Sequence, residues 1–145
     1  KNSINSLIFQ LILQKGQPRD ILDLRIMFEP PYTLMAMERA TPEDIEKIAE
    51  TVYSFETAIK EKRQKADHDL AFHLAILQST RNPFVILIGE TIYQLFYTSL
   101  AKFLQTNPHD ALACHKEIFA AFYEKDSEKL QKEIINSFKF WKTAL

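Results

Sequence analysis

Three side chains in this sequence have the types and spacing to do chemistry together. Asp69 and His73 stand at i and i+4, so a helix through them carries a carboxylate and an imidazole on one face. The run around them, from Leu70 to Leu77, is otherwise apolar. His115 falls inside a second apolar stripe formed by Ala111, Ile118 and Phe122. A polar group on a buried face must find a partner. One carboxylate and two imidazoles converging in one interior are the donors that a divalent transition metal takes, and binding the ion offsets the cost of burying them. Each residue taken singly also has a plain reading. Asp-x-x-x-His pairs arise by chance, and a lone histidine on an apolar face is usually a hydrogen-bonded core residue. His68 points around the helix away from Asp69, and His109 sits in a capping region where solvent is expected.

Positioning such groups requires helices, and the composition favours them. The chain has 145 residues, 46% hydrophobic and 26% charged, enough for one domain with a core of its own. Two glycines are too few for the tight turns of an all-β fold. A formal charge of -1 leaves no strongly basic surface with which to grip nucleic acid. The apolar runs fall short of the roughly 20 residues of a membrane span. The single cysteine, Cys114, excludes an internal disulfide and suits a reducing cytoplasm. The chain opens on Lys1 rather than methionine, which suggests a domain trimmed from a longer protein.

Thr41-Pro42, Asn82-Pro83 and Asn107-Pro108 each set a capping side chain before a proline, and Asp126-Ser127-Glu128 reads as a further helix start. Ile45, Ile48, Val52, Phe55 and Ile59 form one helical stripe, and Leu130, Ile134, Ser137 and Trp141 form another. Residues 84–104 are apolar nearly all round, as a central helix would be. In the first forty residues we expect a helix near 3–14, a turn at Gly16-Gln17-Pro18 and a helix from about 19. Pro30-Pro31 should break or kink that helix before it resumes from Leu34 to Arg39. The expected fold is all-α, an antiparallel bundle of six or seven helices forming a single domain over residues 1–145.

The pattern Asp69-x-x-Phe72-His73, then Asn82-Pro83, then His115-x-x-Ile118 with Asp126 beyond it, resembles the ligand-binding domain (FCD, FadR C-terminal-like) of FadR-type regulators in the GntR family of bacterial transcription factors. Asp23-Leu24-Arg25, Phe28-Glu29-Pro30 and Ala40-Thr41-Pro42-Glu43-Asp44 are similar to the opening helices of that domain, and the likeness runs from about residue 20 to 141. The resemblance implies a cytoplasmic, non-enzymatic homodimer that senses a small carboxylate effector. DNA would be bound by a winged helix-turn-helix domain N-terminal to this one. It also implies a divalent metal such as zinc or nickel, held by one aspartate and three histidines. Asp69, His73 and His115 match three of these ligands, and the place of the third histidine falls on Ser137. The stripe through Leu130, Ile134 and Trp141 turns Ser137 inward, but a neutral hydroxyl is a poor ligand. Three readings stay open. The three remaining ligands hold the metal and water or an effector oxygen completes it; Asn136 or Glu133 contributes; or the site takes no metal and the histidines touch a polar effector directly.

Arg25 is the candidate clamp for an effector carboxylate, because guanidinium offers a planar pair of donors. Its plain alternative is a surface pair with Glu29 at i+4, worth about 0.3 kcal/mol. Asn82 and Ser137 join it as candidate effector contacts, although Asn82 serves equally as an N-cap before Pro83. Tyr93, Tyr97 and Thr98 either line a pocket or sit in the core with polar tips. The charged run from Lys60 to Lys65 reads as a solvated helix end. Two other classes compete with the sensor: a small metal-dependent helical enzyme, and a metal-free structural or acyl-binding helical module. The enzyme reading lacks a placed base, a nucleophile motif or a phosphate loop. The sensor reading requires a pocket among the helices carrying Asp69, His115 and Ser137.

Overall fold

A computed structural model describes residues 17–99 and 107–144, and among these every regular element is a helix. They are α1 (Pro18–Arg39), α2 (Pro42–Lys60), α3 (Ala66–Gln78), α4 (Pro83–Ser99), α5 (Pro108–Glu124), α6 (Ser127–Ser137) and the short α7 (Lys139–Ala144). The helix expected near 3–14 and positions 100–104 of the expected central helix lie outside the described residues.

Several starts follow from local chemistry. At α2, Thr41 Oγ1 accepts from the Asp44 N–H at 3.2 Å, and Asp44 Oδ2 accepts from the Thr41 N–H at 3.0 Å. Arg81, on the turn after α3, closes on the same carboxylate at 3.0 Å and so ties the two helices together. At α4, Asn82 Oδ1 accepts from the N–H groups of Phe84 and Val85, and at α6 Asp126 accepts from the Lys129 N–H at 3.1 Å. Asn107 departs from expectation. It gives no side-chain cap, and its amide donates to Asp110 Oδ2 instead.

Two sequence expectations are corrected. First, α1 runs as one helix through Pro30 and Pro31. The carbonyls of Ile26 and Met27 lose their usual donors, but Met27 and Pro31 face solvent, where water can serve. The opposite face, with Leu22, Arg25, Glu29, Tyr32 and Ala36, is buried against neighbours that keep the chain helical past the prolines, so the expected break does not occur. Tertiary packing overrides the local break. Second, α4 is not the central helix. It packs on α1 and α3 through Tyr93, Leu95 and Phe96 and leaves Phe84, Leu87 and Ile88 exposed. The helix that touches most of the others is α3, which packs on α1, α2, α4 and α5. A 13-residue helix of mostly apolar residues can be buried on several sides only because its polar members, Asp69 and His73, meet partners inside.

The core runs from Leu22, Tyr32 and Ala36 of α1 through Phe72, Ile76 and Leu77 of α3 to Ile118 and Phe122 of α5 and Leu130 and Ile134 of α6. Helices α1 and α4 run antiparallel, since Arg39 reaches the Thr80 carbonyl just before α4 while Arg25 lies over Phe96. Gly89 lets α3 and α4 approach closely. A Cβ there would lie 2.6 Å from both methyl carbons of Leu77, which is fully buried. We therefore expect Gly89→Ala to lower stability by about 1 kcal/mol in urea unfolding. An overpacking cost of about 1–3 kcal/mol should exceed the roughly 1 kcal/mol gained in helix propensity. A stabilised variant would show that the contact is slack.

Candidate functional site

Helix α3 supplies Asp69 and His73, one turn apart, and α5 supplies His115 opposite them. The Asp69 carboxylate serves both directions. Its Oδ1 lies 2.8 Å from His115 Nε2 and 3.6 Å from His73 Nε2, while its Oδ2 accepts from the Tyr97 hydroxyl of α4. The histidine rings are fixed by aromatic neighbours. Phe72 stacks on His115 with centroids 4.0 Å apart, and Tyr93 lies 5.5 Å from His73 at a shallow angle. Asp69 keeps 17% of its side chain exposed, whereas both histidines are buried.

A second polar layer comes from α1. Arg25 Nε donates to Glu29 Oε1 at 2.8 Å, and Arg25 Nη2 lies 3.1 Å from His73 Nε2. The Tyr93 hydroxyl donates to the same Glu29 oxygen at 2.5 Å, and Tyr32 bonds to Tyr93. The Arg25 guanidinium is also flanked by the rings of Tyr93, Phe96 and Phe138. The Arg25–Glu29 pair is thus buried, not the weak surface pair considered from spacing alone.

These contacts assign the tautomers. Guanidinium has no acceptor, so His73 Nε2 must offer its lone pair to Arg25. His115 Nε2, facing an ionised carboxylate, must carry a hydrogen and donate it. His115 Nδ1 is then a bare nitrogen, buried and without a hydrogen-bond partner, and Arg25 Nη1 is likewise buried and unpartnered.

Charge states follow from the same geometry. Burial alone would raise the Asp69 carboxyl, but the hydrogen bond from His115 outweighs it and holds the group well below the usual range. Glu29 is also lowered, with burial opposed by the Arg25 charge and the bonds from Tyr93 and Arg25. Burial pushes His115 below its ordinary value near 6.5, against the pull of Asp69.

The donor set fits a divalent ion. One ligand atom from each of Asp69, His73 and His115 lies within 4.8 Å of the others, and one oxygen with two nitrogens is a set that zinc or nickel accepts. Ser137 is half-buried on α6 and spends its hydroxyl on the Ile134 carbonyl at 2.5 Å. Asn82 caps α4 and is not brought to the cluster. His68 accepts from the Lys65 N–H at 3.0 Å, and His109 is exposed. A cleft of about 480 Å³ opens between α3 and α4, lined by Leu70, Leu74, Tyr93, Gln94, Tyr97 and Thr98. It flanks the cluster on the Tyr97 side, whereas the sensor reading requires a pocket among α3, α5 and α6, the helices carrying Asp69, His115 and Ser137. Glu29 was missed as a site residue. The available signal was Arg25, Glu29, Tyr32 and Ala36 sharing one face of a helix otherwise buried along that side.

The model of the FCD domain matches residues 20–138. The chain belongs to the FCD domain family. Among solved structures, this FCD domain is similar to E. coli McbR/YncC, with a TM-score of 0.70 and 20% identity over 81% of this chain and 58% of that chain. That likeness is one of fold, and the chain spans little more than half the length of McbR/YncC. No curated protein sequence matches it. No helix among the described residues is long and apolar enough to cross a membrane.

The lowered His115 value sets a pH dependence. Unfolded histidine takes up a proton near pH 6.5 while the folded one resists, so stability is full above that pH and falls as pH drops toward the folded value. We expect the chelator-treated domain to lose urea stability between pH 7 and 5, and His115→Gln to flatten that loss. An unchanged slope in the variant would show that His115 is not held neutral.

Proposed function

We propose that this FCD domain is the effector-sensing part of a bacterial GntR-type transcriptional regulator, binding a small carboxylate and passing the signal to a winged helix-turn-helix domain of the same protein. The observation that carries this reading is the Arg25 guanidinium, buried beside the Asp69–His73–His115 cluster with Nη1 lacking any partner. A buried donor in that state is poised for an anion, and a carboxylate accepts two parallel N–H bonds from guanidinium. Asp69, His73 and His115 would hold a divalent ion such as zinc or nickel, which when bound supplies a positive centre for effector oxygens. Ser137 leaves the fourth ligand position to such an oxygen, and Asn82 contributes by fixing the turn between α3 and α4.

The output requires a partner copy. The exposed Leu24 and Met27 of α1 and Phe84, Leu87 and Ile88 of α4 give apolar surface suited to a homodimer. Effector binding that repacks α1 against α3 and α4 would shift the population of dimer arrangements. A coupling of about 1–3 kcal/mol is enough to change operator affinity. This is a cytoplasmic, non-catalytic role.

A thermal-shift screen of small organic acids, with and without nickel or zinc, tests the reading. At a hundredfold excess over Kd, a bound carboxylate should raise Tm by about 5–10 °C. Its amide should not, and Arg25→Gln should remove the effect. Equal stabilisation by acid and amide, or an unaffected Arg25 variant, would overturn the carboxylate assignment.

A further inference from the structure

We infer that Arg25 is the resident cation of the Asp69–His73–His115 centre, and that a divalent metal binds there only by displacing the guanidinium from His73. The inference concerns the site of the sensor reading and uses that reading's metal ligands. Arg25 Nη2 lies 3.1 Å from His73 Nε2, the same nitrogen that faces Asp69 Oδ1 at 3.6 Å. A nitrogen lone pair can serve guanidinium or a metal, not both. Arginine keeps its proton, so nothing short of movement removes the competitor. A fixed positive charge beside His73 also repels a divalent ion across a low-dielectric interior.

The centre carries compensating charges of its own. Arg25 supplies positive charge, Glu29 and Asp69 supply negative charge, and His115 donates to Asp69. What remains unserved is Arg25 Nη1 and His115 Nδ1. Guanidinium drawn away by an anionic effector would free His73 Nε2, so anion and metal should bind with positive coupling. The centre therefore selects metal together with anion over metal alone.

The test titrates zinc alone into chelator-stripped protein by calorimetry, comparing wild type with Arg25→Met/Glu29→Gln. The double variant removes the competitor and its buried counter-charge together, which avoids leaving Glu29 unpaired. The variant should bind zinc about ten- to hundredfold more tightly than wild type, the worth of one charge-assisted hydrogen bond. Adding His115→Ala should abolish the gain. Equal zinc affinities overturn the inference while leaving the metal centre intact. Absence of binding in both proteins overturns the inference and the metal centre, while leaving the carboxylate reading to the thermal-shift screen.

A measurement on wild type stands beside it in case the variant fails to fold. The side-chain Nε–H resonance of Arg25 should move in step with zinc binding in ¹⁵N spectra. An unmoved Arg25 signal alongside shifted ring nitrogens of His73 and His115 overturns the inference.

Discussion

The Asp69 carboxylate, largely withdrawn from water, constrains the rest of the bundle. An ionised group with so little access to water needs hydrogen-bond donors on both of its oxygens. Those donors come from two other helices: His115 of α5 serves Oδ1, and Tyr97 of α4 serves Oδ2. Their reach fixes how far α4 and α5 slide against α3. The same requirement acts on α1, where Glu29 collects Arg25 and Tyr93. Apolar packing alone tolerates small shifts of register, but these polar contacts do not.

Arg25 bridges the α1 layer to His73 while holding one nitrogen with no partner. A guest that engages that nitrogen acts directly on the joint between α1 and α3. Tyr93 and Tyr97 line the α3–α4 cleft, and their hydroxyls bond to Glu29 and Asp69. The buried polar layer and the exposed apolar residues of α1 and α4 therefore sit on the same two helices.

Much of this was legible in the sequence. Polar residues at helical spacing on apolar faces pointed to Asp69, His73 and His115, and Thr41, Asn82 and Asp126 announced helix starts that the structure bears out. The failures have physical causes. Pro30-Pro31 signals a break locally, but the packing that keeps α1 continuous is long-range and invisible in the local sequence. Residues 84–104 look central because their apolar pattern is nearly continuous, and nothing in that pattern tells a core face from an exposed one such as that of Phe84, Leu87 and Ile88. Arg25 and Glu29 looked like a solvent pair because i+4 spacing is the same on either side of a helix. Only the fold shows that their side is the inside.

Long-range ¹H–¹⁵N correlation of the histidine rings at neutral pH, in the presence of chelator, tests the polar core most directly. With Asp69 ionised and guanidinium on His73, the two rings should be neutral and of opposite tautomer. His115 should carry its hydrogen on Nε2 and His73 on Nδ1. Two rings protonated alike at Nε2, or either ring found as imidazolium, would contradict the arrangement on which the site depends.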